Sequence, residues 1–184
     1  MPDAADYRTY IGVYQSPRSV ELQYGVKPWS EEHWKLLEQA FKLLGRVGNK
    51  LVLVHAVENT QFGNEDGMIR WIRKGETWEH NYSIFERYLD LAIKHCGKPD
   101  YVALQVWHAS NTWGARPADT RCTVTVQDPG TVKLSSQQVP LFDVLVHYEW
   151  LDTARKLGRV PRQVSGLFQG MGNPVEIAIR VNVP

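Results

Sequence analysis

The chain is short of cysteine, of net charge and of long apolar runs, and each shortage removes a class of protein. Its two cysteines, Cys96 and Cys122, lack metal-ligand spacing and read as partly buried thiols more readily than as a disulfide. A net charge of +1 gives no electrostatic case for nucleic acid or for an anionic membrane surface. No apolar run approaches the roughly 18 residues a bilayer span requires. The opening Met1-Pro-Asp-Ala-Ala-Asp6 has neither the basic region nor the apolar core of a signal peptide. A cytoplasmic protein fits that, and so does a piece of a longer exported one. His55, His108 and His147 show no zinc-site spacing, so no metal is expected. Gly166, Gly170 and Gly172 fall short of a phosphate loop, with Pro174 close behind. There is no G-x-S-x-G elbow. No cofactor is expected.

What remains is a chain of 184 residues with 43% hydrophobic and 22% charged residues, ordinary values for one globular domain. At this size roughly 68–70% of the unfolded surface can be buried. Seven Trp and eight Tyr are unusual. Indole rings suit sugar stacking, cores and interfaces alike, so composition leaves the three readings open.

The organising stretch is Lys50-Leu-Val-Leu-Val-His-Ala-Val-Glu58. It is short, rich in β-branched residues and apolar on both faces, which predicts a parallel strand covered on both sides. Its polar residues gather at the C-terminal end, where ligands sit in parallel α/β folds. Further strands are expected over Tyr10–Tyr14, Tyr101–Trp107 and Val164–Gln169. Helices are expected after Ser30, after Asn81 and from Pro140 to Gly158. Residues 1–9 are polar and read as poorly ordered. Residues 19–29 read as irregular, and a short helix is expected around Met68–Ile72. A hairpin over residues 123–134 turns at Asp128-Pro-Gly130 and reads as an excursion. The alternating Val175–Val183 reads as an added edge strand or as an abnormal end to the reading frame. The expected fold is therefore α/β: one domain, residues 1–184, of about four parallel βα units. That is either half of a (β/α)₈ barrel, which takes about 250 residues, or a complete open sheet. In a half-barrel, open sheet edges would invite self-association.

The succession Trp29-Ser-Glu-Glu-His-Trp-Lys35, Phe62-Gly-Asn-Glu65 with Arg70-Trp71, and Phe85-Glu-Arg-Tyr-Leu-Asp-Leu91 resembles a known group. Tyr101–Trp107 and Val124-Thr-Val-Gln-Asp-Pro129 continue the likeness, which runs from about Ile11 to Gly170. The group is the barrel of bacterial glycoside hydrolase-like proteins similar to family 123, of N-acetylgalactosaminidase type. The resemblance implies a barrel fold and a carbohydrate partner. It also implies catalysis by an adjacent Asp-Glu pair assisted by the substrate's acetamido group. This sequence has no Asp-Glu dipeptide, and the reversed Glu65-Asp66 is not given that role. The chain is thus expected to be part of a glycan-acting barrel that is inactive in isolation, or a non-catalytic glycan-binding or assembly module.

Sugar hydrolysis needs two carboxyl groups, roughly 5–5.5 Å apart for retention or 6.5–9.5 Å for inversion. Glu58, at the end of the central strand, and Glu65, on the loop after it, are the candidate catalytic pair, with Asp128 a distant third. Trp107, His108, Asn59, Asn64 and Tyr14 are the candidate substrate-binding residues around the same rim. Each has a plainer alternative: Glu58 as a turn cap or ion-pair partner, Trp107 as a core residue. His55 reads as a core histidine in preference to a ligand.

Overall fold

The computed structural model describes residues 11–60, 63–107, 121–140 and 175–180. Helix α1 spans Pro17–Tyr24 and α2 spans Glu31–Arg46. Strand β1 is Leu51–His55, β2 is Arg70–Lys74 and β3 is Thr77–Asn81. Then come α3 at Ser83–Cys96, β4 at Tyr101–Trp107, β5 at Arg121–Gln127, β6 at Leu134–Pro140 and β7 at Val175–Arg180.

The central strand forms because its run of β-branched residues is buried on both faces. β1 and β4 pair in parallel, from Leu51 opposite Tyr101 to His55 opposite Gln105. Val52, Val54, Val102 and Leu104 pack with Trp34, Leu37 and Phe41 of α2 and Phe85, Tyr88 and Leu89 of α3 in one core. Leu53, His55, Ala103 and Gln105 alternate with them and are also buried. The strand before α2 is reduced to one parallel bridge, Ile11 to Asn49, with the Asn49 side chain accepting from the Val13 N–H at 2.7 Å. β7 adds to the outer edge of β4 in antiparallel register, giving the order β1-β4-β7.

The helices begin where the capping chemistry predicts. The Ser30 hydroxyl accepts from the His33 N–H, and Glu31 and Glu32 occupy the first turn of α2. Asn81 lies one residue outside the cap of α3, accepting from the Ser83 N–H at 3.0 Å. The two helices are tied by Arg87 to Glu31 and by Lys94 and His95 to Glu38, which draws the Glu38 carboxyl down to about 2.

Two sequence expectations are corrected. Residues 17–24 are helical, because Ser16 accepts from the Ser19 N–H, Pro17 suits the first turn and Gly25 ends the helix in the left-handed conformation. Residues around Met68–Ile72 enter strand β2, not a helix. Trp71 is fully buried between Trp78 and His80, and the two-residue loop Gly75–Glu76 turns β2 into β3. The 121–140 hairpin of β5 and β6 joins this pair through a short parallel contact of β2 with β5. The four strands make a second sheet, β3-β2-β5-β6, seated against the C-terminal end of β1. Glu58 N–H donates to Thr123 O at 2.9 Å and Met68 N–H to His55 O at 2.7 Å across that junction. The strand expected at 164–169, residues 141–158 of the expected helix and residues 1–9 lie outside the described residues, while Pro140, expected to open that helix, ends β6. His108 and the Trp107 side chain also lie outside them.

Candidate active site

A small groove opens at the C-terminal end of β1. One wall is α1, with Pro17, Arg18 and Glu21. A second is the entry to α2, with Pro28, Trp29 and His33. The third is the β1–β2 loop, with Asn64, Glu65, Asp66 and Met68, and His55 lines the groove from the strand itself.

Trp29 is fixed in an uncommon backbone conformation, at φ 58°. Its N–H donates to His33 Nδ1 at 3.0 Å. His33 Nε2 meets the Pro17 carbonyl at 3.1 Å, so that nitrogen carries the proton and the ring is neutral. Burial lowers the His33 pKa. The Trp29 indole N–H donates to Asp66 Oδ2 at 2.8 Å, and the same oxygen takes Arg70 Nη2 at 2.5 Å. Three chain segments therefore meet on one carboxylate.

The β1–β2 loop is held by Asn64. Its amide nitrogen donates to Val57 O and Asp66 O, and its oxygen accepts from the Thr60 N–H and hydroxyl. Every bond that side chain can make is used inside the loop. Because the Thr60 proton goes to Asn64, His55 Nδ1 must donate to Thr60 Oγ1, at 2.6 Å. Burial drives the His55 pKa down to about 4. Asn59, with φ 52°, is exposed at the start of this loop.

Glu58 is buried, and its carboxylate accepts from Thr125 Oγ1 at 2.6 Å. Thr125 Oγ1 in turn accepts from the Gly67 N–H at 2.9 Å. Burial raises the Glu58 pKa against the hydrogen bonds from Thr125 and Ser136; the Asp66 charge raises it further and Arg70 opposes. Glu65 is largely exposed at the groove mouth, paired with Arg18, which also pairs with Glu21. Burial and the neighbouring Asp66 and Glu65 raise the Glu21 pKa against that arginine. Of the residues singled out from sequence, Asn64 and Glu65 line the groove with His55, while Glu58 does not. Tyr14 is 44% exposed on the segment leading into α1.

Sequence reasoning passed over Arg18, Glu21, Trp29, His33 and Asp66 as site residues. Trp29 and His33 carried a signal, lying in the Trp29–Lys35 motif, but nothing local ties them to Asp66, 37 positions away. Among the described residues no group of His, Cys, Asp and Glu is arranged to hold a metal ion, and no helix is long and apolar enough to cross a membrane.

A family model described as the glycoside hydrolase 123 catalytic domain matches residues 14–149. Among solved structures, a family 123 glycoside hydrolase from Clostridium perfringens, studied for glycolipid glycan hydrolysis, is similar at 18% identity and a TM-score of 0.60. The likeness covers 85% of this chain and 29% of that one, so this chain spans under a third of its length. No curated protein matches. The matched stretch contains every residue of the groove, and on that match the chain belongs to the glycoside hydrolase 123 catalytic-domain family.

Proposed function

We propose that this domain acts on or binds glycans ending in an N-acetylhexosamine, with the sugar at the C-terminal rim of β1. The observation that carries the reading is the family match over residues 14–149. In the fold this implies, β1 and β4 are neighbouring strands of a (β/α) barrel, and the rim is where loops gather. Glu58 has the environment of a general acid: a carboxyl kept protonated to higher pH by burial and by the nearby Asp66. Glu65 is the carboxylate at the mouth of the groove. By their place in the sequence Trp107 and His108 join Tyr14 and Asn59 as sugar contacts, and Asn64 serves them by fixing the loop.

The non-catalytic alternative is favoured by two observations: Glu58 does not line the groove, and Glu65 is engaged by Arg18. The two readings separate by experiment. The chain of residues 1–184 is expected to bind N-acetylgalactosamine in calorimetry and to release nothing measurable from a chromogenic N-acetylhexosaminide. Turnover abolished by Glu58→Gln would make the chain an enzyme as it stands. Absence of binding to the sugar and to the glycoside would overturn the glycan reading.

A further inference from the structure

We infer that Thr125 is the positioning residue of the Glu58 carboxyl: its hydroxyl holds Oε1 as an acceptor, so that the proton Glu58 gives up sits on Oε2. The inference rests on the reading of Glu58 as a general acid. It deepens that reading by naming the oxygen that carries the proton and the residue that selects it.

Glu58 is pinned to β5 twice. Its main-chain N–H donates to the Thr123 carbonyl at 2.9 Å, and the Thr125 hydroxyl donates to Oε1 at 2.6 Å. Both residues are buried, Glu58 at 5% and Thr125 at 2% exposure. The direction of the second bond follows from what surrounds the hydroxyl. Thr125 Oγ1 accepts from the Gly67 N–H at 2.9 Å, which occupies one lone pair and leaves one proton to place. Among the described residues Glu58 is the one acceptor that proton meets. The Gly67 N–H is itself fixed, because its loop runs hard against the end of β1. A Cβ on Gly67 would fall 2.5 Å from the Ala56 carbonyl oxygen.

That arrangement makes the two carboxyl oxygens unequal. Were neutral Glu58 protonated on Oε1, it would have to donate to Thr125, and the Thr125 proton would be left buried without an acceptor. With the proton on Oε2, Oε1 accepts from Thr125 in the neutral acid and in the carboxylate alike. Release then breaks only the Oε2–H bond, the proton passes to the leaving-group oxygen of a glycoside, and no bond at Oε1 has to be remade. Ser136 lies opposite Thr125 across β5 and β6, on the same face, and bonds the same carboxyl. It is exposed, so its hydroxyl can turn to donate or accept with water completing its bonds, which the buried Thr125 cannot do.

The test reads the carboxyl itself, by infrared difference spectroscopy of the chain of residues 1–184 across the Glu58 titration. The Glu58 signal is the one that disappears in Glu58→Gln. We expect the C=O stretch of neutral Glu58 at the lowered frequency of a carbonyl that accepts a hydrogen bond. Thr125→Val should raise that frequency, and Thr125→Ser should leave it in place. Thr125→Val should also move the Glu58 midpoint, followed by its carboxyl carbon resonance, to higher pH, because the lost bond favours the charged form. A merely structural Thr125 would change the melting temperature and neither of these. If Thr125→Val does not fold, Thr125→Cys supplies a weaker donor and should raise the band part of the way. A wild-type band at the frequency of a free carbonyl, or a band indifferent to Thr125→Val or Thr125→Cys, overturns the inference and spares the glycan reading. The spectra are taken without sugar, so failure of the chain to bind N-acetylgalactosamine or an N-acetylhexosaminide overturns the glycan reading, and with it the catalytic use of Oε2, even where the band behaves as expected.

Discussion

His33 and His55 are both held neutral, His33 by burial and by an accepting ring nitrogen that has no place for a second proton, His55 by burial against neighbours that favour the cation. At His33, protonating Nδ1 would break the bond from the Trp29 N–H. At His55 burial penalises the cation and outweighs the bonds with the main chain of Gln15 and the side chain of Gln105, which favour it, while Nδ1–H serves Thr60. A folded pKa below the unfolded value means that the unfolded chain takes up the proton first as pH falls. Stability is then complete above about pH 6.5 and is lost on descending towards the folded value of about 4. For His55 alone the loss by pH 5 is about 2 kcal/mol. His33 acts with the same sign. Glu58 acts with the opposite sign, since a raised carboxyl pKa contributes stability at low pH and loses it as pH rises past 4.5 towards the folded value. Urea unfolding should therefore show lower stability at pH 5 than at pH 7, and His55→Gln should reduce that difference. An unchanged pH dependence in His55→Gln would show that another group dominates.

At the scale of elements, α2 and α3 approach closely at Gly45. A Cβ built on Gly45 would lie 2.0 Å from the His95 carbonyl oxygen, a main-chain atom that cannot swing aside. Gly45→Ala gains helix propensity, by up to about 1 kcal/mol. It must also push the helices apart, and overpacking of this kind typically costs about 1–3 kcal/mol. We expect a net loss in denaturant midpoint; a gain would mean that α3 shifts freely. The elements legible in sequence were those with both a period and a boundary. α2 has an apolar stripe and Ser30, and β1 has an unbroken apolar run between Gly48 and Asn59. α1 was hidden because it is eight residues long and buries only Pro17, although Ser16 and Gly25 mark its ends. The β2–β3 hairpin was hidden because Met68, Ile69, Trp71 and Ile72 fit a helical spacing until Gly75 is recognised as a turn. The site was legible as a place, the C-terminal end of β1. Its Trp29–Asp66–Arg70 connection was not, since it is made by tertiary contact between loops that share no periodicity.

At the scale of the molecule, the question is how the sheets are ended. A parallel pair such as β1 and β4 has two edges, and an unpaired edge recruits other chains. The outer edge of β4 is taken by β7, in register from Tyr101 opposite Arg180 to Trp107 opposite Val175. The second sheet ends on β3 and on β6, and Ser135, Ser136, Gln137 and Gln138 of β6 are exposed, polar and poorly suited to a dry interface with another copy. β7 is thus the element on which the solution state turns. Removing residues 175–184 should uncover the N–H and C=O groups of Tyr101–Trp107 and the apolar surface beside them. At ~25 cal/mol per Å², each 100 Å² left wet costs about 2.5 kcal/mol, a substantial part of the roughly 5–15 kcal/mol that holds a typical domain folded. Sedimentation velocity should find the chain of residues 1–184 monomeric and the truncated chain shifted towards larger species as concentration rises. Were the longer chain to associate equally, or the truncated one to stay monomeric with an unchanged melting temperature, β7 would not be what ends the sheet.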